Sequence, residues 1–283
     1  MASKRLSRLL TQVRSRQRLH LTQPAVSKRI ALLEADLSAR LFDRVGQQVQ
    51  LTEAGHALLH RARGILQQVD DTRIAIANLT GEVAGKLSLA TSHHIGVWRL
   101  PPLLKADSLR YPGVSLDLHF TDSAVAYDQV LSGEMELGVV TLSTTEVHGI
   151  DAIRLWRDPL SVVVSAEHPL AAGPPISLEQ LSRHPAILLD LSTFTGRIVR
   201  MLFDDQALSL NIAMSTNYLE TIKMLISIGL GWSVLPISML DDETPTIDVG
   251  PGNLSRDLGA IYHHERTLSN AARAFVALAS QSA

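Results

Sequence analysis

Between Leu21 and Thr52 the order of residues admits few folds. Leu21-Thr22-Gln23-Pro24-Ala25-Val26-Ser27 sets a hydroxyl residue two places ahead of a proline. Thr22 suits a helix N-cap, where its oxygen accepts from an amide one turn on. Pro24 suits the first turn, where its missing N–H is not needed. Val26, Ile30, Leu33 and Leu37 then recur every three or four residues. That spacing predicts a helix from Thr22 to about residue 35 with one buried stripe. The opposite face presents Gln23, Ser27 and Lys28, with Arg29 at its flank. Polar donors near a helix N-terminus suit a helix that reads base edges and phosphates. Val49 and Leu51 alternate with polar residues behind the turn at Gly46, which predicts a two-stranded wing over residues 45–52. Arg44 stands at its base, within reach of phosphate.

Charge supports a polyanion partner for this segment alone. Residues 1–81 carry 13 Lys and Arg against 6 Asp and Glu, a net of +7. The remainder carries 13 against 22, a net of −9. A basic head on an acidic body points to nucleic acid at the head. With 283 residues, 46% of them hydrophobic, the chain can form two or three units with a sizeable core.

From Thr52 to Leu79 there is no proline. Leu58, Ala62, Ile65, Val69, Thr72, Ile76 and Leu79 alternate at spacings of four and three, a heptad-like seam. Such a seam suits a helix that pairs with a copy of itself or one that lies on its own domain; pairing is the expectation, because the run is long and a dimer suits recognition of two DNA half-sites. His56 and His60 stand four apart, a spacing that can hold a metal. No third ligand is apparent, so they are read as surface or packing residues.

Further on, strands and helices alternate. Strands are expected over residues 85–90, 114–120, 137–140, 160–164, 186–189 and 233–235. Helices are expected over 98–109, 124–131, 178–181, 196–203, 218–228 and 268–278. This order predicts α/β units with a largely parallel sheet.

At this point the resemblance to a family is specific. The Leu21–Ser27 segment, then Ile30, Leu33-Glu34, Leu37, Leu41-Phe42-Asp43-Arg44 and Leu51-Thr52-Glu53-Ala54-Gly55 resemble the DNA-binding signature of LysR-type regulators. Pro101-Pro102-Leu103-Leu104, Tyr111-Pro112-Gly113-Val114, Gly133-Glu134, His168-Pro169-Leu170-Ala171 and Gly229-Leu230-Gly231 up to Pro236 resemble that family's effector domain. Glu136 stands where an aspartate is commoner. The first 20 residues depart from the family pattern. Leu6, Leu9, Leu10 and Val13 can form one helical face, but residues 13–19 lack the paired alanines that open the family's second helix. Either the arm is unusual or the natural start is different.

The resemblance implies an α/β protein with an N-terminal all-α winged helix-turn-helix over residues 1–57 and a linker and dimerisation helix over 58–82. A two-lobed effector domain like a periplasmic binding protein follows over 83–283, with lobe I over 83–161 and 266–283 and lobe II over 162–265. Expected DNA contacts are Thr22, Gln23, Pro24, Ser27, Lys28, Arg29 and Arg44. Expected partners are double-stranded operator DNA, a small-molecule effector, and further copies of the chain in a homodimer or homotetramer.

A cleft between such lobes holds ligands with hydroxyls and with amides at helix N-termini, which favour anions. Thr91, Ser92 and His94, then Thr193 and Thr195, stand where helices are about to start, and Thr141 ends the strand expected to face them. Ala90-Thr91-Ser92-His93 and Phe194-Thr195-Gly196-Arg197 resemble pocket segments of the sulfur-assimilation branch, which binds a small oxyanion. That likeness implies Ser92, His94, Thr141 and Thr195. A protonated His94 would favour an anion and make the site pH-sensitive.

There are no cysteines, which excludes disulfides and thiolate metal sites. No cofactor and no metal are expected. No run approaches the roughly 18 apolar residues of a membrane span, and no apolar stretch follows the basic start. The chain is expected to be cytoplasmic, with no membrane partner. His-Glu-x-x-His, Gly-x-Ser-x-Gly and a phosphate loop are all missing, so it is not read as an enzyme. A binding protein of periplasmic type without DNA output is the alternative; the basic head and the missing secretory signal argue against it.

Overall fold

A computed structural model describes residues 22–45, 48–171, 173–250 and 254–281. The expected helix face on Leu6, Leu9, Leu10 and Val13 lies outside the described residues, as do the side chains of Gln23, Arg44 and His60. Packing divides the chain into two units at residues 68 and 69.

The first unit holds α1 (Gln23–Asp36), β1 (Phe42–Val45), β2 (Gln48–Leu51) and the start of α2 (Glu53–Asn78). β1 and β2 pair antiparallel, with Phe42 opposite Leu51, and form the expected wing. Thr22 does sit at the N-cap of α1, but its side chain makes no capping bond. Pro24 removes one of the two amides that a cap hydroxyl can reach. The Thr22 carbonyl accepts from the Val26 amide at 3.1 Å. The stripe is less covered than expected: Leu33 and Leu37 are 42% and 44% exposed. A unit this small has little interior to offer.

Polar contacts hold the unit's turns. The Glu34 carboxylate accepts from the Leu41 amide at 2.7 Å and the Phe42 amide at 3.3 Å. Thr52 donates to the Arg40 carbonyl at 2.6 Å and accepts from the Gly55 amide at 3.0 Å. One hydroxyl thus closes the wing and caps α2. Gly55 lies so close to the Leu41 carbonyl that a Cβ has no space there. Along α2, Ile65, Val69 and Ile76 are 61%, 44% and 63% exposed, and Leu79, just past its end, is 85% exposed.

The second unit alternates strand and helix as its sequence predicts. β3 (Gly85–Thr91), α3 (His93–Trp98), α4 (Leu100–Arg110), β4 (Val114–Phe120), α5 (Ser123–Leu131) and β5 (Leu137–Thr141) follow in order. β3 runs parallel to both β4 and β5. β5 is buried throughout, as a strand covered on both faces must be. The single helix expected over 98–109 starts afresh at Leu100, where Pro101 and Pro102 fill a first turn.

The sheet is less parallel than expected, because one long strand runs through both lobes and a second runs antiparallel beside it. β6 (Ile150–Val163) and β11 (Ser255–His263) pair antiparallel with each other, and β11 pairs antiparallel with β5. Leu155 of β6 packs with Leu87 and Leu258 in the first lobe's core. Leu160 and Val162 pack with Trp232 in the second. The strand expected over 160–164 is therefore only the tail of β6. Its first ten residues carry Asp151, Arg154, Arg157 and Asp158, which hide the apolar signal.

The second lobe adds α6 (Leu178–Ser182), β7 (Ala186–Leu188), α7 (Phe194–Asp204), β8 (Ile212–Ser215) and α8 (Leu219–Ser227). β7 and β8 are parallel. β9 (Ser233–Pro236) and β10 (Thr246–Ile247) both pair with β6. The last helix, α9 (Asn270–Gln281), returns to the first lobe's core through Ala272, Phe275 and Ala279.

Gly55→Ala should destabilise the first unit by about 1–3 kcal/mol, because the added methyl meets backbone and not a movable side chain. Hydrogen exchange of the α1 and wing amides in the full chain should speed up, while β3 and β5 amides stay as they were. Unchanged exchange at the wing would show that the Leu41 carbonyl moves aside at no cost.

Candidate functional site

One cavity of about 810 Å³ opens between the lobes of the second unit. Its wall is built the same way on both sides: a parallel strand ends, a polar turn follows, and a helix begins. β3 leads through Ser92 into α3, and β4 through Asp122 into α5. In the other lobe, Thr193 precedes α7 and Asn217 lies just before α8. Strand ends and helix starts leave amides and hydroxyls facing the crevice, the usual ligand position of open α/β sheets.

The expected residues meet there unevenly. Ser92, His94, Thr141, Thr193 and Thr195 line the cavity; Thr91 does not. The Thr91 hydroxyl donates to the Val139 carbonyl at 2.8 Å and ties β3 to β5. Thr193 accepts from the Gly196 amide at 3.0 Å and donates to the Asp190 carbonyl at 2.7 Å, so its hydroxyl is occupied in starting α7. Gly196 lets that turn close, since a Cβ there meets the Asp190 backbone. Thr141 is buried at the end of β5, and its amide donates to the Ser123 hydroxyl at 3.2 Å.

The dominant charged group is one the sequence reading missed. Arg256 of β11 lies directly opposite Asp158 of β6 in the strand register. Its Nε donates to Asp158 Oδ2 at 2.9 Å, and its Nη1 to Thr195 Oγ1 at 3.0 Å. Arg99 donates to Asp158 Oδ1 at 2.8 Å. The Asp158 and Arg256 side chains are 1% and 4% exposed. Burial works against the Arg256 charge and Asp158 supports it. Two guanidinium groups on one carboxylate leave a net charge of +1. Arg256 also lines the cavity, and its Nη2 has no partner among the described residues. A signal was present: Asp158 and Arg256 each occupy the inward phase of an alternating strand, beside Leu160 and Leu258.

His94 takes a different role from the one expected. It is 4% exposed and stacks on Trp98 with ring centroids 6.2 Å apart. Neither ring nitrogen has a partner among the described residues. Burial lowers its pKa from 6.5 to about 4, and the Arg256 charge pushes the same way. The ring is neutral at neutral pH, so a protonated His94 does not supply the positive charge.

Several contacts bridge the cleft. The Trp98 indole donates to Glu220 at 3.1 Å, and the Asn217 amide to Asp122 at 3.2 Å. Tyr127 meets Phe194 edge-on, with centroids 5.2 Å apart. On α1, in the other unit, Thr22, Pro24, Ser27, Lys28 and Arg29 are exposed. Among the described residues, no three His, Asp or Glu side chains form a group able to hold a metal ion. No described helix is long and apolar enough to cross a membrane.

His94 sets a pH dependence. The unfolded chain binds a proton there near pH 6.5, the folded chain only near about 4. Its contribution is complete above pH 6.5 and is lost as pH falls toward about 4. The loss amounts to at most about 3 kcal/mol. Urea unfolding across this range should show a shallower pH slope for His94→Gln than for the unaltered chain. Equal slopes would refute the buried neutral ring.

Residues 80–283 match the family model of the LysR substrate binding domain. Residues 4–56 match that of the bacterial regulatory helix-turn-helix proteins of the lysR family. The HTH-type regulator YybE of Bacillus subtilis strain 168, itself uncharacterized, is 30% identical over 95% of this chain and 93% of its own. A RuBisCO operon transcriptional regulator of Allochromatium vinosum is 28% identical over 93% of this chain and 88% of its own. An uncharacterized HTH-type regulator of Azotobacter vinelandii is 67% identical over 86 residues, 30% of this chain and 60% of that protein. Among solved structures, the C-terminal domain of a probable LysR family regulator from Rhodococcus sp. RHA1 superposes with TM-score 0.62 at 26% identity, covering 70% of this chain and 100% of that one. The regulatory domain of CcmR from Synechocystis PCC6803, in complex with 2-PG, superposes with TM-score 0.64 at 23% identity, over 70% of this chain and 97% of its own.

Proposed function

This chain belongs to the LysR family of bacterial transcription regulators, and on that premise we propose that it binds operator DNA as a homo-oligomer under the control of a small molecule held between its lobes. The effector half rests on one observation: a single cavity is lined by strand ends and helix starts of both lobes, with a buried cation in its wall. A ligand touching both walls favours one lobe arrangement over others, and so shifts a population.

The reading assigns DNA contact to Thr22, Gln23, Pro24, Ser27, Lys28, Arg29 and Arg44. The described side chains among these are exposed on or beside α1, and the first 81 residues carry a net +7. Ser92, His94, Thr141 and Thr195 are assigned to the effector, with Arg256 added. Thr193 serves as a helix cap. An anionic effector is favoured by Arg256. The likeness to the sulfur-assimilation branch survives only in the hydroxyls of Ser92, Thr141 and Thr195, and the relatives reported above do not include that branch. The domain division is kept at residues 1–57, 58–82 and 83–283, but the second lobe ends before β11 and not at residue 265, because Leu258 and Ala260 pack in the first lobe's core and β11 pairs with β5. A regulator of this kind works on the chromosome, in the cytoplasm, and the reading gives it no turnover.

The exposed row of Ile65, Val69 and Ile76 on α2, with Leu79 just past its end, supports self-pairing. Three large apolar side chains in water along one helix, and a fourth just past it, suit a second helix with the same row. Ile76→Asp should shift the full chain toward monomer in sedimentation at micromolar concentration. A dimer of unchanged strength would remove α2 from the interface.

Selection of genomic fragments by the full-length protein should enrich an interrupted palindrome. Lys28→Ala should weaken all sequences alike and lower the slope of log affinity against log salt by about one. If the unaltered protein enriches no sequence, the DNA half of this reading fails and the chain is a sensor without that output.

A further inference from the structure

The last two turns of α2 are fastened by polar side chains to the stretch between β11 and α9. Asp71, Ile74 and Asn78 fall at spacings of three and four, on one half-buried face of α2. Arg266 reaches that face: its Nε donates to Asp71 Oδ1 at 3.0 Å, and both side chains are largely out of water. Arg266 Nη1 also donates to the Gly133 carbonyl at 3.5 Å. Glu136, just before β5, accepts from the Ser269 amide at 2.7 Å. Burial pushes the Glu136 carboxyl up, and the Arg266 charge works against this. Ser269 in turn accepts from the Ala272 amide at 3.0 Å and starts α9.

Asn78, the last residue of α2, is bonded to the same stretch. Its side-chain amide donates to the Leu268 carbonyl at 3.0 Å, and its side-chain oxygen accepts from the Asn270 amide at 2.9 Å. Asn270 replies with its own side chain, which donates to the Asn78 carbonyl at 3.3 Å and the Glu82 carbonyl at 3.0 Å.

The segment between α2 and β3 is built to turn. Gly81 and Gly85 have φ of +70° and +98°, and a Cβ on either meets nothing within 4 Å. The amides of Leu79, Thr80 and Gly81 bond back to α2, while that of Gly85 bonds to the Gly113 carbonyl. Residues 82–84 are therefore spanned by a grip with Asn78 and Asp71 on one side and Asn270 and Arg266 on the other. Ile74 is half-buried, but no side chain of residues 69–84 joins a buried apolar cluster among the described residues. Hydrogen bonds and one ion pair hold the end of α2, and water can replace each of them. The grip also lies at one end of β5 and of β11, whose other ends carry Thr141 and Arg256 in the cavity wall.

We infer that Arg266, Asn78 and Asn270 form a releasable lock across the hinge that follows α2. Closed, it fixes the last two turns of α2 to the effector domain. Open, it frees them to turn about residues 81–84. Arg266 is thus a positioning residue for the linker helix. This goes beyond the operator and effector readings and needs neither of them.

The test is hydrogen exchange on the full-length protein, without DNA and without added small molecules. In Arg266→Gln, residues 69–84 and 267–271 should exchange at least about tenfold faster, while β3 and β5 keep their rates. Asn78→Ala, on the other side of the hinge, should act on the same two stretches. Arg266→Lys keeps the charge beside Asp71 and should stay within about threefold of the unaltered chain. Unchanged rates over residues 69–84 in either Arg266→Gln or Asn78→Ala would overturn the lock. Acceleration spread evenly into β3 and β5 would do the same, since Arg266 would then support the whole domain and not the hinge. Arg266→Lys behaving like Arg266→Gln would remove the ion pair from the lock and overturn the role given to Arg266. If Arg266→Gln fails to fold, Asn78→Ala decides by the same criteria. Because the measurement involves no operator and no effector, its failure leaves the proposed function standing.

Discussion

One carboxylate, Asp158, holds two guanidinium groups where the lobes join. Arg256 reaches it at 2.9 Å and Arg99 at 2.8 Å, and Asp158 itself is almost wholly out of water. Burying three charges costs several kcal/mol per ion before their attraction is counted, so such a cluster is weak evidence for stability. Its consequence is placement. Asp158 lies on β6, whose residues pack in both cores, and Arg256 on β11, which pairs with it and packs in the first lobe's core. Arg99 follows α3, and Thr195, which accepts from Arg256, opens α7. The cluster thus ties the two paired strands to a helix start in each lobe, and leaves Arg256 Nη2 buried without a partner among the described residues.

The rest of the site is arranged around that cation by helix starts. Thr193 starts α7 with its own hydroxyl, which frees Thr195 to face Arg256. Gly196 admits the tight turn. Asp122 and Asn217 begin helices in opposite lobes and bond to each other at 3.2 Å. Glu220 receives the Trp98 indole across the same cleft. These bonds are few and sit near water, so the lobes are joined strongly at the strands and weakly at the mouth. Such a distribution allows local opening without loss of the core.

The head follows another logic. Its described interior is thin, with Leu41 as its fully covered large side chain. Glu34 and Thr52 do the joining through bonds to backbone. These two residues belong to the pattern by which the family was recognised, and their contacts give the physical reason for the pattern. The expected hydroxyl cap at Thr22 is missing, and Pro24 leaves such a cap one reachable amide instead of two.

What the sequence determined by itself is whatever depends on neighbours in the chain. Apolar spacing three or four apart placed α1 and α2, alternation placed β4, and Thr193 and Pro101 stood where helices start. The hydroxyls of Ser92, Thr141 and Thr195 were legible as site residues because each stands at the end of such an element. Tertiary structure alone decided the rest. Asp158 and Arg256 are 98 residues apart, and only antiparallel pairing of β6 and β11 sets them face to face. The charged first half of β6 has no apolar period to announce it. His94 looks like a proton acceptor in the sequence and becomes a neutral ring through burial beside Arg256. Local order is set by local sterics and spacing, whereas charge, solvent and pairing across the chain depend on what folding brings near.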